Sequence, residues 1–587
     1  MNFLKIAEVF EQMTATTKRN ELSTILAGLF RECGSDLRTV SYFVQGKLAP
    51  DFEGIETGMS DKLIIKGLSK VSGKSEKEIA EMFVKEGDLG SVAEAVAREK
   101  KQKGLFGSEL TASYVYEVLR KLAASAGQGS IKARTDMYTD LVMNSSPLEA
   151  KYITRIITGK LRLGVSDSTI LSSLTEAFYD RERFDDVEEA YNFYPDMGRI
   201  ADLLQSGNYQ ELLNTGPSLM VPCKVMLAER LPTVEDILEK MGGRAAFEYK
   251  YDGMRVQIHK RNDTVRIFSR GTEETTSNFP DIVKAARESF KGMDCILDGE
   301  AVPFNPETGE LYPFQMVSQR RGRKYNLEKM EEEVPLTVFL FDVLHLNGET
   351  MVRKPYPERR KTLESIVRED DHFRLATSLV SDSPREISIF FEKAIEDGCE
   401  GVVAKNITQE SVYRAGARGW LWIKMKRDYR AELSDSLDLV VIGAFNGHGR
   451  RKGTYGALLL ACYNHDADTF ESTCKLGTGF KDDVLFALPK KFESLVVKEK
   501  PARVDTSMVP DVWIYPQVVM EVVGAEITLS PVHSCAFGKI APNAGLALRF
   551  PRFSGRWRDD KKTEDATTTT EVIEMYNNQK KSMMTRT

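Results

Sequence analysis

The chain has 587 residues, 42 % of them hydrophobic and 29 % charged, with a formal net charge of −6. That length exceeds what a single hydrophobic core serves, so two to four domains are expected, and the composition excludes a disordered or low-complexity protein. An acidic body excludes binding of nucleic acid through a general basic surface, so any such partner must be met by local basic patches.

The N-terminal stretch MNFLKIAEVFEQM spaces apolar residues as an amphipathic helix does, which is not the pattern of a signal peptide. No apolar run has the length needed to cross a bilayer, and a cytoplasmic protein without a membrane partner is expected. Helix follows helix to about residue 215; over 61–100 the apolar positions recur at three and four, broken at Ser-Gly and Gly-Asp. Within this region, residues 151–171 read KYITRIITGKLRLGVSDSTIL. Lys151, Arg155, Lys160 and Arg162 place four cations in twelve residues with no acid among them, and Gly159 and Gly164 permit close backbone approach. That pattern suits phosphate contacts along a duplex; its plain structural reading is a solvated amphipathic helix.

Near residue 216 the texture changes. From 245 to about 430, short strands (AAFEYKYD, RVQIHKR, TVRIFSR, CILDGEAVPF, LTVFLFDVLHLNG, CEGVVAK) alternate with helical stretches, including one over 384–396, as in an α+β domain. Beyond RAELSDSLDLVVIGAF the chain turns rich in strands and turns, for which a small β-barrel is the economical reading. The tail suggests a Thr-rich turn, one short helix and a frayed basic end. The cysteines at 33, 223, 295, 399, 462, 474 and 535 form no C-x-x-C pair, which disfavours a zinc site or disulfide framework and leaves buried reduced thiols.

Several chemistry-bearing residues sit at or near the ends of those middle strands. In EYKYDGMRVQIHK (248–260), Lys250 precedes an Asp-Gly step; SR follows at 269–270, LDGE at 297–300, FLFDVLHLNG at 339–348, EGVVAK at 400–405 and WLWIKMK at 420–426. Alone, each has a bland reading. Asp-Gly between strands is a hairpin signal with a wet lysine beside it, Glu300 and Glu400 are turn residues, Phe341 is core, and Lys424 and Lys426 are a solvated strand face. Their joint order over about 180 residues is what the bland readings do not explain.

This ordered set resembles the covalent nucleotidyltransferases: ATP-dependent DNA ligases, RNA ligases and mRNA-capping enzymes. The resemblance implies that Lys250 attacks the α-phosphate of a nucleoside triphosphate, forming a lysyl-NMP and releasing pyrophosphate. A free lysine with a pKa of about 10.4 holds little neutral amine near pH 7, and nearby cations or desolvation favour the neutral form. Arg255, Arg270, Lys424 and Lys426 are expected to supply that field and to bind phosphate, with Arg418 added to the ATP-binding set. Glu300 and Glu400 are expected as hard oxygen ligands for Mg²⁺, Glu300 also lying in the ATP site. Phe341 falls where the family stacks the base, and Glu248 where it recognises adenine.

Among these enzymes the chain is most similar to archaeal-type ATP-dependent DNA ligases. Residues 151–171 resemble the helical DNA-binding domain that precedes the ligase core. SQRRGRK at 318–324 lies where the family also meets DNA, which makes Arg320 and Arg321 candidate contacts. KLGTGF, PDVWIYPQVVMEV, EITLSPVHSC and LALRFPRFSGRWRDDK resemble the ligase OB-fold domain and its terminal motif, in which Arg552 and Lys561 are carried over, with Arg549, Arg556 and Asp560 beside them. One departure stands out: archaeal members commonly carry a second arginine after FSR, whereas Gly271 follows Arg270 here.

The expected architecture is an all-α DNA-binding domain at 1–215, an α+β (ATP-grasp-like) adenylylation domain at 216–430, and a C-terminal β-barrel OB fold at 431–587 ending in the terminal motif and tail helix. A hinge is expected near 427–436. The expected activity is ATP- and Mg²⁺-dependent sealing of nicked double-stranded DNA by a monomer, in replication, repair and recombination, with a sliding clamp as an open partner. Two alternatives stay open at this stage: an RNA ligase or capping-type guanylyltransferase, and a catalytically silent DNA-binding scaffold.

Overall fold

The structure is a computed structural model that describes residues 1–100, 109–303, 311, 335–426, 436–447, 453–524, 526–530, 532–549 and 551–584, without the side chains of residue 396 and residues 580–584. It divides into two compact units, residues 1–80 with 89–427, and residues 81–88 with 428–587. The helical region and the α+β region, expected as separate domains, thus share one unit. No helix among the described residues is long and apolar enough to cross a membrane.

The periodicity over 61–100 resolves into helices Asp61–Ser72, Glu76–Glu86 and Leu89–Glu99. Helix Pro147–Ile157 starts where sequence alone would start it. Ser146 caps it, Pro147 fills the first turn, and the Glu149 carboxylate accepts from the Ser146 N–H at 2.7 Å to close a capping box. Its residues from Glu149 to Ile157 are all buried, so this helix has no solvent face.

The α+β region holds β1 (Leu227–Arg230), β2 (Ala245–Lys250), β3 (Met254–Arg261), β4 (Thr264–Ser269), β5 (Cys295–Pro303), β6 (Leu336–Leu346), β7 (Glu349–Thr350), β8 (Phe373–Leu375), β9 (Ser378–Ser381), β10 (Gly401–Lys405) and β11 (Arg418–Lys426). They form two sheets. The first runs β1-β11-β10-β2-β9; the second runs β4-β3-β5-β6-β7, with β8 on β6. Each sheet has its own core. Helices Val234–Met241 and Pro384–Glu396 pack on the first through Ile237, Met241, Ile387 and Phe391, and helices Pro280–Ser289 and Tyr356–Ile366 pack on the second through Ile282, Ala286 and Leu363.

β2 and β3 belong to different sheets. Asp252-Gly253 is therefore a bend that carries the chain from one sheet to the other, not a hairpin turn. Gly253 is required there by close approach, because a Cβ would lie 2.4 Å from the Ala301 carbonyl oxygen.

In the second unit, β12 (Leu437–Asn446), β13 (Tyr455–Asn464), β14 (Thr469–Leu476), β15 (Val496–Val497), β16 (Val504–Asp505), β17 (Val512–Ile514), β18 (Val519–Val523) and β21 (Arg552–Trp557) make one sheet, while β19 (Glu526–Ser530) and β20 (Gly545–Arg549) pair with each other. Helix Asp482–Phe492, which the strand-rich reading did not anticipate, inserts Leu485, Leu488 and Phe492 into the core. The tail helix is longer than expected, Thr569–Met584, and it is docked: Val572 is fully buried and Tyr576 nearly so, each such side chain contributing about 1.5–3 kcal/mol. All seven cysteines are buried and free. Cys462 and Cys535 lie with sulfurs 3.3 Å apart beside Glu471, whose carboxylate accepts from Asn464, Thr569 and the Ala536 N–H, tying the strands to the start of the tail helix.

Candidate active site

Three neighbouring strands of the first sheet carry the centre of the site. In the antiparallel registers Lys250 stands opposite Gly401, Glu248 opposite Val403, and Ala246 opposite Lys405; on the other side, Lys426, Lys424 and Trp422 stand opposite those same β10 residues. Side chains alternate along a strand. Lys250 and Glu248, Val403 and Lys405, and Lys426, Lys424 and Trp422 therefore share one face. The intervening residues, Phe247, Tyr249, Val402, Ala404, Ile423 and Met425, point the other way into the core. The period-2 pattern of these segments thus divides a charged face from a packed one.

The face has two ends. At the first, the Lys250 ammonium lies 2.5 Å from Glu400 Oε2, which also forms an ion pair with Lys426 Nζ at 2.6 Å, and the Glu400 N–H donates to the Lys250 carbonyl at 2.8 Å. Gly401 makes this junction possible, since its φ of +146° disfavours a side chain and a Cβ would fall 2.1 Å from the Met425 carbonyl oxygen. Lys424 completes a cationic row. Burial, then the positive charges of Lys426, Lys250, Arg418 and Arg270, push its ammonium below the ordinary lysine value. Sequence-predicted phosphate ligands thus converge electrostatically, with Arg418 and Arg270 exposed at the margin.

Carboxylates gather at the same end. Glu300 on β5 stands opposite Arg255 on β3, and its carboxyl is pushed up to about 7 by lost hydration, opposed by Lys250 and Arg255 and reinforced by the charges of Glu400 and Asp298. Asp252 is raised to about 6, by lost hydration and then by Glu400. The two cations beside Glu400 outweigh its own burial and hold it below the usual range.

Arg255 departs from expectation. Its guanidinium forks onto the buried Asp298 carboxylate at 3.0 and 2.6 Å and donates to the Met226 carbonyl at 2.8 Å, and Tyr413 donates to the same Asp298 at 2.9 Å. This network, rather than the phosphate contact expected, engages Arg255, because the opposite charge of Asp298 compensates its withdrawal from water. The residue is a strut beneath Glu300 and beside Phe341, whose centroid lies 5.3 Å away.

At the other end sit the residues expected to meet the base. Phe341 is the extra residue of a β6 bulge, where the pairing steps from Asp298–Asp342 to Gly299–Leu340, and a bulge re-aims the side chain it carries. Phe341 is half-buried, edge-on to Trp422 at 6.1 Å. Glu248 is 2 % exposed and accepts from Tyr356 Oη at 2.5 Å, Lys405 Nζ at 2.5 Å and Arg360 Nη1 at 3.1 Å. Sequence reasoning missed Lys405, Tyr356 and Arg360, as well as Asp342, which is fully buried in a fork with Arg359 at 2.8 and 3.0 Å. For Lys405 the available signal was its place at the end of EGVVAK, on the same alternation as Gly401 and Val403.

The expected DNA contacts separate into two groups. Lys151 and Arg155, each 8 % exposed, lie inside the helical region. Lys151 pairs with Glu11 at 2.7 Å and Glu94 at 3.4 Å, and Arg155 packs over the Tyr152 ring at 5.3 Å. Both expectations are corrected: a helix buried on every side turns these cations into internal ties. Lys160 and Arg162 lie on the exposed loop after that helix, where Arg162 adopts φ +60°. Arg320 and Arg321, and residues 427–435 of the expected hinge at 427–436, lie outside the described residues. In the second unit, Arg552 is exposed on β21, Lys561 pairs with Asp438 at 2.8 Å, and Arg558 bridges Asp438 and Asp560 at 2.6 and 2.9 Å.

Residues 225–426 match the family described as "ATP dependent DNA ligase domain", residues 2–175 match "DNA ligase N terminus", and residues 451–561 match "ATP dependent DNA ligase C terminal region". The chain is 58 % identical over 583 residues to a protein of Thermoplasma volcanium named "DNA ligase", covering 99 % of both chains, and 46 % identical to one of Hyperthermus butylicus with the same name, covering 99 % of this chain and 98 % of that one. The solved structure "Pmar-Lig_Pre." aligns with a TM-score of 0.55 at 17 % identity, over 94 % of this chain and 99 % of the other, a likeness of fold.

Proposed function

The chain belongs to the ATP-dependent DNA ligases, and on that premise we propose that Lys250 is the residue that carries AMP between ATP and a DNA nick. The observation that carries this reading is the shared face of β2, β10 and β11, which sets one lysine against a glutamate at 2.5 Å beside a row of cations and a base-sized aromatic end. The RNA-ligase, capping and silent-scaffold alternatives have no comparable support.

In the first step the Lys250 nitrogen bonds to the α-phosphorus of ATP as the bond to pyrophosphate breaks. Glu400 orients the amine, Lys424, Lys426, Arg418 and Arg270 meet the triphosphate, and Arg255 holds Glu300 and Phe341 in place from behind. Phe341 and Glu248 border the base. In the second step an oxygen of the nick's 5′-phosphate bonds to the AMP phosphorus and the P–N bond breaks, restoring Lys250. In the third, the 3′-hydroxyl attacks the 5′-phosphorus and AMP leaves. Positioning and fixed charge supply most of the rate in such transfers.

Magnesium fits the donors present. Glu300 and Glu400 are hard oxygen ligands, and the raised Glu300 and Asp252 carboxyls mark a cluster of negative charge that a divalent cation relieves. Glu300 and Glu400 would hold the ion, which would supply neutralisation of phosphate charge there.

The reading extends to the finer architecture. The α+β region is an ATP-grasp-like adenylylation domain and the second unit an OB-fold β-barrel, with Lys160, Arg162, Arg320 and Arg321 touching the duplex backbone. Arg552 and Lys561 serve the pyrophosphate leaving group, with Arg549, Arg556 and Asp560 as neighbours. The protein works as a cytoplasmic monomer on nicked duplex, and a sliding clamp is a compatible recruiter.

The test is a pair of substrates. Lys250→Ala should lose self-adenylylation and sealing of an ordinary nick, yet still seal a nick that already carries 5′-adenylate. Normal self-adenylylation by that variant overturns the assignment.

A further inference from the structure

Lys405 ends β10 and is 1 % exposed, a position where a lysine must be paired. Its ammonium lies 2.5 Å from Glu248 Oε2 and 3.1 Å from the Phe341 carbonyl oxygen. Three aromatic rings surround it, with centroids at 4.5 Å for Trp422 and 4.8 Å each for Phe341 and Tyr356. One buried cation thus joins the two residues assigned to the base, and does so from a cage that fixes its position. Burial pushes the ammonium below its ordinary value, with Glu248 opposing the shift.

An ionised carboxylate offers about four acceptor positions. Among the described residues, three at Glu248 are taken by Lys405, Tyr356 and Arg360, which leaves one. Adenine presents an N–H donor on its exocyclic nitrogen where guanine presents a carbonyl acceptor. A carboxylate held still with one open acceptor position discriminates between them, and one free to turn does so less.

We propose that Lys405 is a positioning residue for base specificity: by linking Glu248 to the Phe341 backbone inside the aromatic cage, it aims the remaining carboxylate position at the amine of adenine. This inference rests on the ATP-dependent ligase reading above. It gives Lys405 no contact with the reacting atoms, so its signature is a split between KM and kcat.

Self-adenylylation by the full chain, measured across concentrations of ATP and of GTP, tests it. Lys405→Met keeps the length of the side chain and removes its charge. It should raise the KM for ATP roughly 10- to 100-fold, the scale of one lost charged hydrogen bond, lower the ATP-over-GTP ratio of kcat/KM by tenfold or more, and leave kcat at saturating ATP within about threefold. Tyr356→Phe removes a second donor to Glu248 with little loss of packing, and should shift selectivity the same way by a smaller factor. It decides the matter if Lys405→Met does not melt cooperatively. Wild-type KM and selectivity in a folded Lys405→Met, or in Tyr356→Phe where that variant must decide, overturns the proposal. A wild-type protein that neither self-adenylylates nor seals a nick defeats the ligase reading instead.

Discussion

Lys250 ends β2 and Glu400 immediately precedes the neighbouring β10, with their side chains paired at 2.5 Å, and the same Glu400 oxygen also forms an ion pair with Lys426 at 2.6 Å. One carboxylate thereby holds the proposed nucleophile and a proposed phosphate ligand in register. Glu400→Ala should cut self-adenylylation by about 10²- to 10³-fold, mostly in kcat, because its loss frees both lysines at once. Single-turnover transfer of labelled AMP checks this, and an effect confined to KM would show that Glu400 only binds.

Glu300 and Asp252 set a pH dependence. Both folded-state values, about 7 and about 6, lie above the ordinary carboxylate range. The stability tied to their protonated forms is therefore complete at low pH and is lost as pH rises through 6 to 7. Without divalent cation the melting temperature should fall over that window, and Glu300→Gln should flatten the fall. Adding Mg²⁺ at pH 8 should raise the wild-type melting temperature more than that of Glu300→Gln. Thermal melts across pH with and without Mg²⁺ supply the comparison.

Asp342 and Arg359 are fully buried and forked onto each other, and Arg359 Nη1 also donates to the Lys354 and Ser411 carbonyls at 2.7 and 2.9 Å. Neutralising one partner strands the other charge in the core. Asp342→Asn should destabilise the α+β region by about 3–5 kcal/mol. Denaturant unfolding followed by near-ultraviolet circular dichroism measures it, and a loss under about 1 kcal/mol would show that water reaches the pair.

The cations of 151–162 should behave as two groups. Lys160→Ala should weaken binding to nicked duplex and reduce the slope of log affinity against log salt by about one, as expected for a lost phosphate contact. Lys151→Ala should leave that slope unchanged and lower the melting temperature, since Lys151 serves Glu11 and Glu94. Fluorescence anisotropy over a salt series separates them.

Much of the site was legible because strands alternate. The spacing of Glu248 and Lys250, and of Lys424 and Lys426, already places each pair on one face, and the order of the motifs identified the family. What linear order does not carry is how faces meet. Asp252-Gly253 reads as a hairpin until β2 and β3 fall in separate sheets, a choice made by long-range pairing. Lys151 and Arg155 look available to DNA because four cations recur there without an acid, but burial on all sides depends on neighbours far along the chain. Arg255 looks like a phosphate ligand until Asp298 is placed beside it. Lys405 showed in the sequence only its alternation with Gly401 and Val403, because its partners come from β2, β6, β11 and a helix starting at Tyr356. Helix Asp482–Phe492 was passed over for the strands around it, although Asp482 and Asp483 in its first turn and Lys490 and Lys491 in its last suit a helix dipole.

The most direct test is incubation of the full chain with ATP labelled on its α-phosphate, peptide mapping of the adduct under mildly alkaline conditions that preserve a P–N bond, and a chase with nicked duplex DNA. The account predicts AMP on Lys250 alone, passed to the 5′-phosphate and released as the nick closes. AMP retained on another residue, or an adduct that nicked DNA does not discharge, would contradict it.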